Sequence, residues 1–367
     1  MKTVRRLLYR DLIGSVLFVA LAFLSLFYFI DFVDDLDDLG RKGVSAGKAA
    51  WLALLEIPGH FYELFPIAVL IGSIYSLARM AQSSEFTILR TAGLGPGRAL
   101  SLLTSLALAF AALTFVVGDY VAPAVDRYGE AQRAQFMGER TRVSGGAWLK
   151  DRQIVDGAER SYSVHVGRVR APGELERVRL FEFDAQGALL ARIEAAHARV
   201  DASGLWRFGE VLRTRWLGGL APEVSEQRLP TLDWRSGLNV GVITAALLPA
   251  KDMSTAELYN YTRHLSAQEQ SAQQYDIQFW RKAFYPFACL VMVALALPFA
   301  YLHGRAGGIS LKVFGGIMLG ISFVVLNNLA GHLGLLKGWT PWAVAATPSL
   351  IYLGISLAAF GWLVRYR

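Results

Sequence analysis

The chain of 367 residues contains six long runs that lack Asp, Glu, Lys and Arg. A bilayer core about 30 Å thick requires roughly 20 such residues in helical form. Backbone groups inside lipid must also hydrogen-bond within their own segment. Each run therefore predicts a membrane-spanning helix, three on either side of about 160 water-compatible residues. The runs are Leu12–Ile30, Leu64–Ala78, Ala99–Gly118, Ala283–Leu302, Val313–Ala330 and Gly338–Val364.

Basic residues are concentrated in the short segments at one end of these predicted helices. If the N-terminus is cytosolic, segments 1–11, 79–98, 303–312 and 365–367 are cytosolic and carry 11 basic and 2 acidic residues. Short cytosolic loops are enriched in lysine and arginine, whereas long translocated domains are exempt from this rule. The pattern predicts that both termini are cytosolic and that the long insert lies outside. The near-neutral charge of the insert argues against a nucleic-acid surface.

The insert has the two-residue period of β-strands. Tyr162, Val164 and Val166 alternate with polar residues, which places apolar groups on one face. Glycine-containing turns separate further strand-like runs. This spacing predicts an antiparallel sandwich or a barrel-like roll, followed by a helix capped at Thr255 that continues into the fourth span at Ala283. The further runs are Val178–Phe183, Leu189–Val200 and Leu205–Trp216.

The predicted fold class is therefore an α+β membrane protein with six transmembrane helices, three plus three, and an inserted antiparallel β domain. We expect residues 1–125 to hold the first three spans, 126–275 the β domain with its connecting helix, and 276–367 the last three spans.

Several kinds of chemistry lack a motif in this sequence. There is no GxxxxGK[ST] phosphate loop for ATP hydrolysis, and the six histidines have no metal-ligand spacing. We therefore predict a non-enzymatic chain that needs no cofactor or metal and depends on an energy source outside itself. Cys289 is expected to be a packed core residue. Asn327 and Asn328, the most polar residues within the spans, are expected to form interhelical hydrogen bonds.

The connection between the second and third spans is the sharpest functional candidate. Ser84 can cap a short helix that ends near Gly93, and Glu85 suits its positive N-terminal end. Phe86 and Leu89 share one face, so the predicted helix 84–93 could insert into a groove on a cytosolic partner. An ordinary interfacial loop with helical character is the alternative, and composition does not separate the two.

Three further segments make the chain recognisable: "FPIAVLIGSIYSLARMAQSSEFTILRTAGLG", "GDYVAPAVDRYGEAQRAQFM" and "GAWLKD". Together with "GGIMLGISFVVLNNLAGHLGLLKGWTPWAVAATPSLIY", they resemble the lipopolysaccharide export permeases, the LptF/LptG family. The resemblance covers essentially the whole chain, and "GAWLKD" and the last two spans are more similar to the LptG branch.

The resemblance implies a subunit of an ABC transporter in the bacterial inner membrane. In that family LptF and LptG form a heterodimer on two LptB ATPase subunits, and the single-span LptC lies at a lateral gate flanked by spans one and five. The complex extracts lipopolysaccharide and passes it to the periplasmic bridge protein LptA. By this resemblance the inserted β domain is a periplasmic jelly roll.

The resemblance also implies site residues. Glu85 matches the acidic residue of the coupling helix that contacts LptB, and Arg90 is its neighbour about one turn on. Arg133 matches a basic position that meets the lipid head group, since a guanidinium binds phosphate with two hydrogen bonds. Arg41 and Lys42 are further candidates for this role. The coupling set is Ser84, Glu85, Phe86, Leu89 and Arg90.

The end of span one departs from some relatives because it is acidic where lysines can serve as phosphate partners. Carboxylates do not attract bare phosphates, so this run is either a solvated face or a place that meets the divalent cations accompanying lipopolysaccharide. It consists of Asp31, Asp34, Asp35, Asp37 and Asp38.

The fifth span contains Gly316 and Gly320 in a GxxxG pattern, with Gly315 adjacent. Small residues let helices approach closely, which suits either static packing or a sliding gate. Two other functions remain as alternatives. A membrane-anchored periplasmic scaffold or signal transmitter would not need six spans, and a secondary transporter would carry charged residues within its spans.

Overall fold

The computed structural model describes residues 2–40, 45–91, 95–136, 147–155, 157–171, 173–217, 223–247, 250–267, 272–301 and 308–366. These residues form two compact units. A helical unit comprises Met1–Gln132 and Asp276–Arg367, and a β unit comprises Arg133–Tyr275.

Six helical segments of the described chain are long and apolar enough to cross a membrane, as the uncharged runs predict. The first, second, third and fifth segments extend beyond their runs at both ends. The fourth begins before its run, with polar residues from Gln273 onward, and the sixth, Pro341–Trp362, lies within its run. The helices of this unit are α1 (Lys2–Gly40), α2 (Ala46–Gln82), α3 (Glu85–Thr91), α4 (Pro96–Val116), a π-helical turn (Val117–Val121), α5 (Ala122–Phe136), α8 (Gln273–Phe284), a 3₁₀ turn (Tyr285–Phe287), α9 (Ala288–Ala296), α10 (Pro298–Tyr301), α11 (Ile309–Lys337) and α12 (Pro341–Tyr366).

Helix α2 is the centre of the helical unit. Its most apolar 18-residue window is 72% buried, compared with 11% for that of α1. The side chains of Phe65, Leu70 and Ile74 belong to one apolar core with residues of α1, α4 and α9. Helices α1, α4, α11 and α12 expose many large apolar side chains, as expected of spans that face lipid.

The β unit is one six-stranded antiparallel sheet with the strand order β1-β2-β3-β4-β5-β6. The predicted inserted antiparallel domain is confirmed, and β2 to β5 contain the strand-like runs of the sequence. Every described strand pairs with its sequence neighbour, so the strand order is that of a meander. The strands are β1 (Ala147–Val155), β2 (Ala158–Ala171), β3 (Glu174–Phe183), β4 (Leu189–Val200), β5 (Leu205–Leu217) and β6 (Glu223–Arg235).

The sheet curls until its first and last strands approach. Gln153 Nε2 of β1 donates a 2.9 Å hydrogen bond to the carbonyl oxygen of Arg235 at the end of β6. Tyr162 of β2 and Trp234 of β6 have ring centroids 5.2 Å apart although three strands separate them along the sheet. Trp206 fills the interior and donates from Nε1 to the carbonyl of Leu238 at 2.8 Å. The arrangement matches the barrel-like roll among the sequence predictions.

Two helices follow the roll, α6 (Val240–Leu247) and α7 (Thr255–Ala267). Helix α7 is capped by Ser254, one residue before the predicted Thr255. Ser254 Oγ accepts from the Glu257 backbone N–H at 3.2 Å, and Glu257 Oε2 accepts from the Ser254 N–H at 2.8 Å. This reciprocal pair is a capping box. The segment that reaches the fourth span is a separate helix, α8.

Candidate functional site

A sharp turn at Ser84 separates α3 from α2. Ser84 has a φ of 60°, a left-handed conformation that non-glycine residues adopt at a cost. Its carbonyl oxygen accepts from the Ile88 N–H at 3.0 Å, which starts the helix. The helix ends at Thr91, and the predicted terminator Gly93 lies outside the described residues.

The two faces of α3 have different environments. Phe86 and Leu89 are buried in the apolar core of the helical unit, and the Phe86 ring meets the Tyr301 ring edge-on at 5.3 Å. Glu85 is exposed and Ile88 is 63% exposed. Phe86 and Leu89 therefore attach α3 to its own chain, while Glu85 and Ile88 form a face open to a partner. Arg90 lies in α3, and its side chain is outside the described set.

A carboxylate on α1 holds the end of α2 just before this turn. Asp11 accepts a 2.6 Å hydrogen bond from Ser76 Oγ and forms an ion pair with Arg79. Ser76 and Arg79 are three residues apart and so share a face of α2. The last turn of α2 continues through a bond from the Ser83 N–H to the Arg79 carbonyl at 3.0 Å. The end of α2 that precedes α3 is thus fixed to α1.

Glycines bring α11 onto α2. A Cβ built on Gly316 would lie 2.6 Å from Ile74 Cδ1, and one built on Gly320 would lie 3.0 Å from Ile67 Cγ2. Gly315 has nothing within 4 Å of such a Cβ. Gly316 and Gly320 therefore permit the close approach of the two helices, whereas Gly315 lies away from the contact.

A polar link joins α8 to α11. Arg281 donates from Nη2 to Asn328 Oδ1 at 3.0 Å, and a Cβ built on Gly331 would lie 3.1 Å from Arg281 Nη1. The expected interhelical hydrogen bond of Asn328 is confirmed. Arg281 precedes the uncharged run that begins at Ala283, and the structure places it within the fourth spanning segment.

The π-helical turn at the end of the third span receives the Tyr62 ring of α2. A Cβ on Gly118 would overlap that ring, and the ring also lies 4.7 Å from the ring of Tyr285. Tyr285 Oη donates to the carbonyl of Glu63 at 2.5 Å. Turns of this type are frequent at functional sites, and here the widened turn accommodates an aromatic side chain.

Of the three basic residues expected to contact lipid, the structure describes one. Arg133 is half-buried near the end of α5 and belongs to the β unit. Arg41 and Lys42 lie outside the described residues. Helix α1 continues through the acidic run, in which Asp34 is exposed but Asp35 is only 4% exposed. A uniformly solvated face therefore does not describe this run.

The aspartate of "GAWLKD" closes the roll of the β unit. Asp151 is 1% exposed and accepts from Gln153 Nε2 (2.7 Å), Ser236 Oγ (2.6 Å) and the Gly237 N–H (3.2 Å). Burial lowers the pKa of the neighbouring His264, and the Asp151 carboxylate opposes that shift. The motif thus fastens β1 to the segment that follows β6.

The residues that sequence reasoning missed are the ones that form pairs across the chain. Asp11 with Arg79, Gly118 with Tyr62, and Arg281 are separated from their partners by about 50 residues or more. A charged residue at the boundary of an apolar run was the available signal for Asp11 and Arg281, because such residues within spans seek partners.

Comparison with known proteins gives concordant results. The family Lipopolysaccharide export system permease LptF/LptG matches residues 6–363. The Lipopolysaccharide export system permease protein LptG of Escherichia coli (strain K12) is 27% identical over 334 residues, which is 91% of each chain. The protein of the same name from Haemophilus influenzae (strain ATCC 51907 / DSM 11121 / KW20 / Rd) is 24% identical over 354 residues, 96% of each chain.

Proposed function

Because the chain belongs to the LptF/LptG family of lipopolysaccharide export permeases, we propose that it is the LptG-type subunit of an ABC transporter for lipopolysaccharide. The observation that carries this proposal is the family match over residues 6–363, which includes both helical triplets and the insert. The relatives that share its length bear the LptG name. The chain is a multi-pass membrane protein, and we place it in the bacterial inner membrane with cytosolic termini and a periplasmic β unit.

In this proposal the chain pairs with LptF, and two LptB subunits bind the cytosolic side of the pair and hydrolyse ATP. LptC inserts its single helix at a lateral gate, and LptA receives the lipid on the periplasmic side. The chain itself catalyses no reaction. Its role is to convert nucleotide-dependent movement of the ATPase into movement of the spans. This requires that ATP bind two conformations of the assembled complex with different affinities.

Helix α3 is the proposed coupling element. Its exposed face, with Glu85 and Ile88, suits contact with an ATPase groove, and a carboxylate at a helix N-terminus is favourably placed. Its buried face transmits the displacement, since Phe86 packs on Tyr301 at the end of the fourth span. The ion pair of Asp11 with Arg79 carries the same displacement to α1.

The lipid path is proposed to follow the gate helices and the basic residues that are expected to contact the head group. Sliding of α11 on α2 is compatible with the contacts at Gly316 and Gly320, because small residues do not interlock. Arg133, Arg41 and Lys42 are proposed to meet head-group phosphates, for which guanidinium and ammonium groups are suitable ligands.

The decisive experiment reconstitutes the chain with LptF and LptB in proteoliposomes and measures ATP-dependent release of lipopolysaccharide to a periplasmic acceptor. The Glu85→Ala variant should lose both ATPase association and release. Glu130→Ala is the matched control, because Glu130 is also an exposed helical glutamate but lies at the far end of the third span; it should retain both.

Two outcomes would contradict the proposal. A stable assembly that hydrolyses ATP without moving lipid would indicate a scaffold or signal transmitter. Failure of the wild-type chain to associate with any ATPase would remove the transporter assignment itself.

A further inference from the structure

Three side chains with metal-ligand chemistry meet between α1 and α2. Glu56 and His60 are four residues apart on α2 and so project from the same face. Asp31 reaches them from α1. One ligand atom from each of the three lies within 4.8 Å of the others, and all three side chains are half-buried. The set therefore combines two helices and two types of donor.

The imidazole of this cluster is held in place. His60 Nε2 lies 2.7 Å from Asp31 Oδ2. The His60 ring also packs on the ring of Phe27, with 4.9 Å between the centroids, and Phe27 lies one helical turn before Asp31. The contact with Asp31 directs Nε2 toward that carboxylate, and the contact with Phe27 restrains the ring.

The charge of the cluster favours a cation. Two carboxylates share a partly desolvated space between apolar helices, where like charges repel more strongly than in water. A divalent cation coordinated by both carboxylates would relieve this repulsion.

We propose that Asp31, Glu56 and His60 bind a divalent transition-metal cation of the zinc or manganese type. One imidazole nitrogen and two carboxylate oxygens are accepted by both ions. Ligands about 2.0–2.2 Å from a tetrahedral zinc are roughly 3.4 Å apart, so small side-chain rotations suffice to close the set. Metal binding would replace the bond between His60 and Asp31 and cross-link α1 to α2. The proposal does not depend on the transport role.

The test uses the purified full-length chain without a histidine tag, in nanodiscs and stripped with a chelator. Titration with Zn²⁺ or Mn²⁺ alone, followed by equilibrium dialysis and metal analysis, should show one saturable ion per chain. Glu56→Gln and His60→Gln should each weaken binding about ten-fold or more. Asp34→Asn is the matched control, because Asp34 is an exposed carboxylate of the same acidic run; it should change affinity less than two-fold.

Gel filtration and thermal unfolding of each variant verify that it is folded. If His60→Gln does not fold, Glu56→Gln still decides the result, since it leaves the hydrogen bond between His60 and Asp31 in place. Saturable binding that is lost in Glu56→Gln and kept in Asp34→Asn supports the site. No saturable binding, or equal binding by wild type and Glu56→Gln, would overturn the metal site.

Discussion

The helical unit and the β unit distribute apolar side chains in opposite ways. On the helical unit, Phe18 of α1 is 75% exposed and Trp362 of α12 is 63% exposed, among many others. In the described part of the β unit, four large apolar side chains are exposed: Trp148, Ile154, Val224 and Tyr259.

This difference indicates what stabilises each unit. In water, burial of apolar surface drives folding, so the roll depends on its interior aromatic residues. In a bilayer, an apolar side chain gains little free energy when it moves from lipid into the protein interior. Close packing and polar contacts between helices therefore become the specific stabilising interactions. The helical unit accordingly uses Gly316, Gly320, the ion pair of Asp11 and the link between Arg281 and Asn328.

The largest expected effect compares one substitution in both units. Phe208 of β5 and Phe65 of α2 are each 1% exposed. Phe208→Ala should lower the free energy of opening of the β unit by about 3–5 kcal/mol, because transfer and cavity costs add. Phe65→Ala should cost less, since an unpacked phenylalanine remains in lipid and loses only packing contacts. Hydrogen exchange of the full chain in nanodiscs measures both, and equal losses would contradict the comparison.

The next effect compares two glycines whose added Cβ would overlap a ring. Gly118→Ala should destabilise the helical unit by about 3 kcal/mol, because Tyr62 is held between Gly118 and Tyr285. Gly209→Ala, which meets His197, should stay within about 0.5 kcal/mol, because His197 is exposed and can turn into solvent. Thermal unfolding of the two variants checks this order; a reversed order would exclude the packing explanation.

A smaller effect concerns the two carboxylate links. Asp151→Asn should cost about 2 kcal/mol, because it removes charge-assisted bonds from a buried site. Asp11→Asn should cost less than about 1 kcal/mol, since its partner Arg79 is about half exposed and water screens the pair. Chemical denaturation of each variant tests this, and transport per ATP hydrolysed tests the proposed linking role of Asp11. Unchanged coupling in Asp11→Asn would limit that residue to packing.

The smallest effect is a pH dependence confined to the β unit. Burial lowers the pKa of His264 in the folded chain, so its stabilising contribution is complete above the unfolded imidazole pKa of about 6.5. The contribution declines as the pH falls below that value toward the lowered folded pKa, because the unfolded chain then binds more protons. Hydrogen exchange in β1 and α7 between pH 7 and 5 should show this decline, and His264→Gln should flatten it. An unchanged slope in that variant would assign the dependence to other groups.

The sequence predicted what depends on local periodicity. The uncharged runs located six spans, and β4 coincides with the run Leu189–Val200. Strand β6 does not stand out in the sequence, because Pro230 breaks the strand-like pattern and both faces of the strand are largely exposed. Proline in a strand indicates an edge position, which is where β6 lies.

Sequence periodicity predicted the candidate site only in part. Glu85 stands out in the sequence as an acidic residue at a helix start, and it is exposed as the coupling role requires. Phe86 and Leu89 were assigned to the partner-facing set, yet they pack inside their own unit. Periodicity places residues on a common face, but only the neighbouring helices determine whether that face is covered.

The consecutive strand order of the β unit has a consequence for biosynthesis. Because each strand pairs only with its sequence neighbours, the contacts that define the sheet are local, and local contacts form quickly. The ribosome delivers the chain from its N-terminus, and units fold as they emerge. The strands of the sheet can therefore pair one after another while the last three spans are still being synthesised. The helical unit is completed only when those spans join the first three, which are synthesised before the roll.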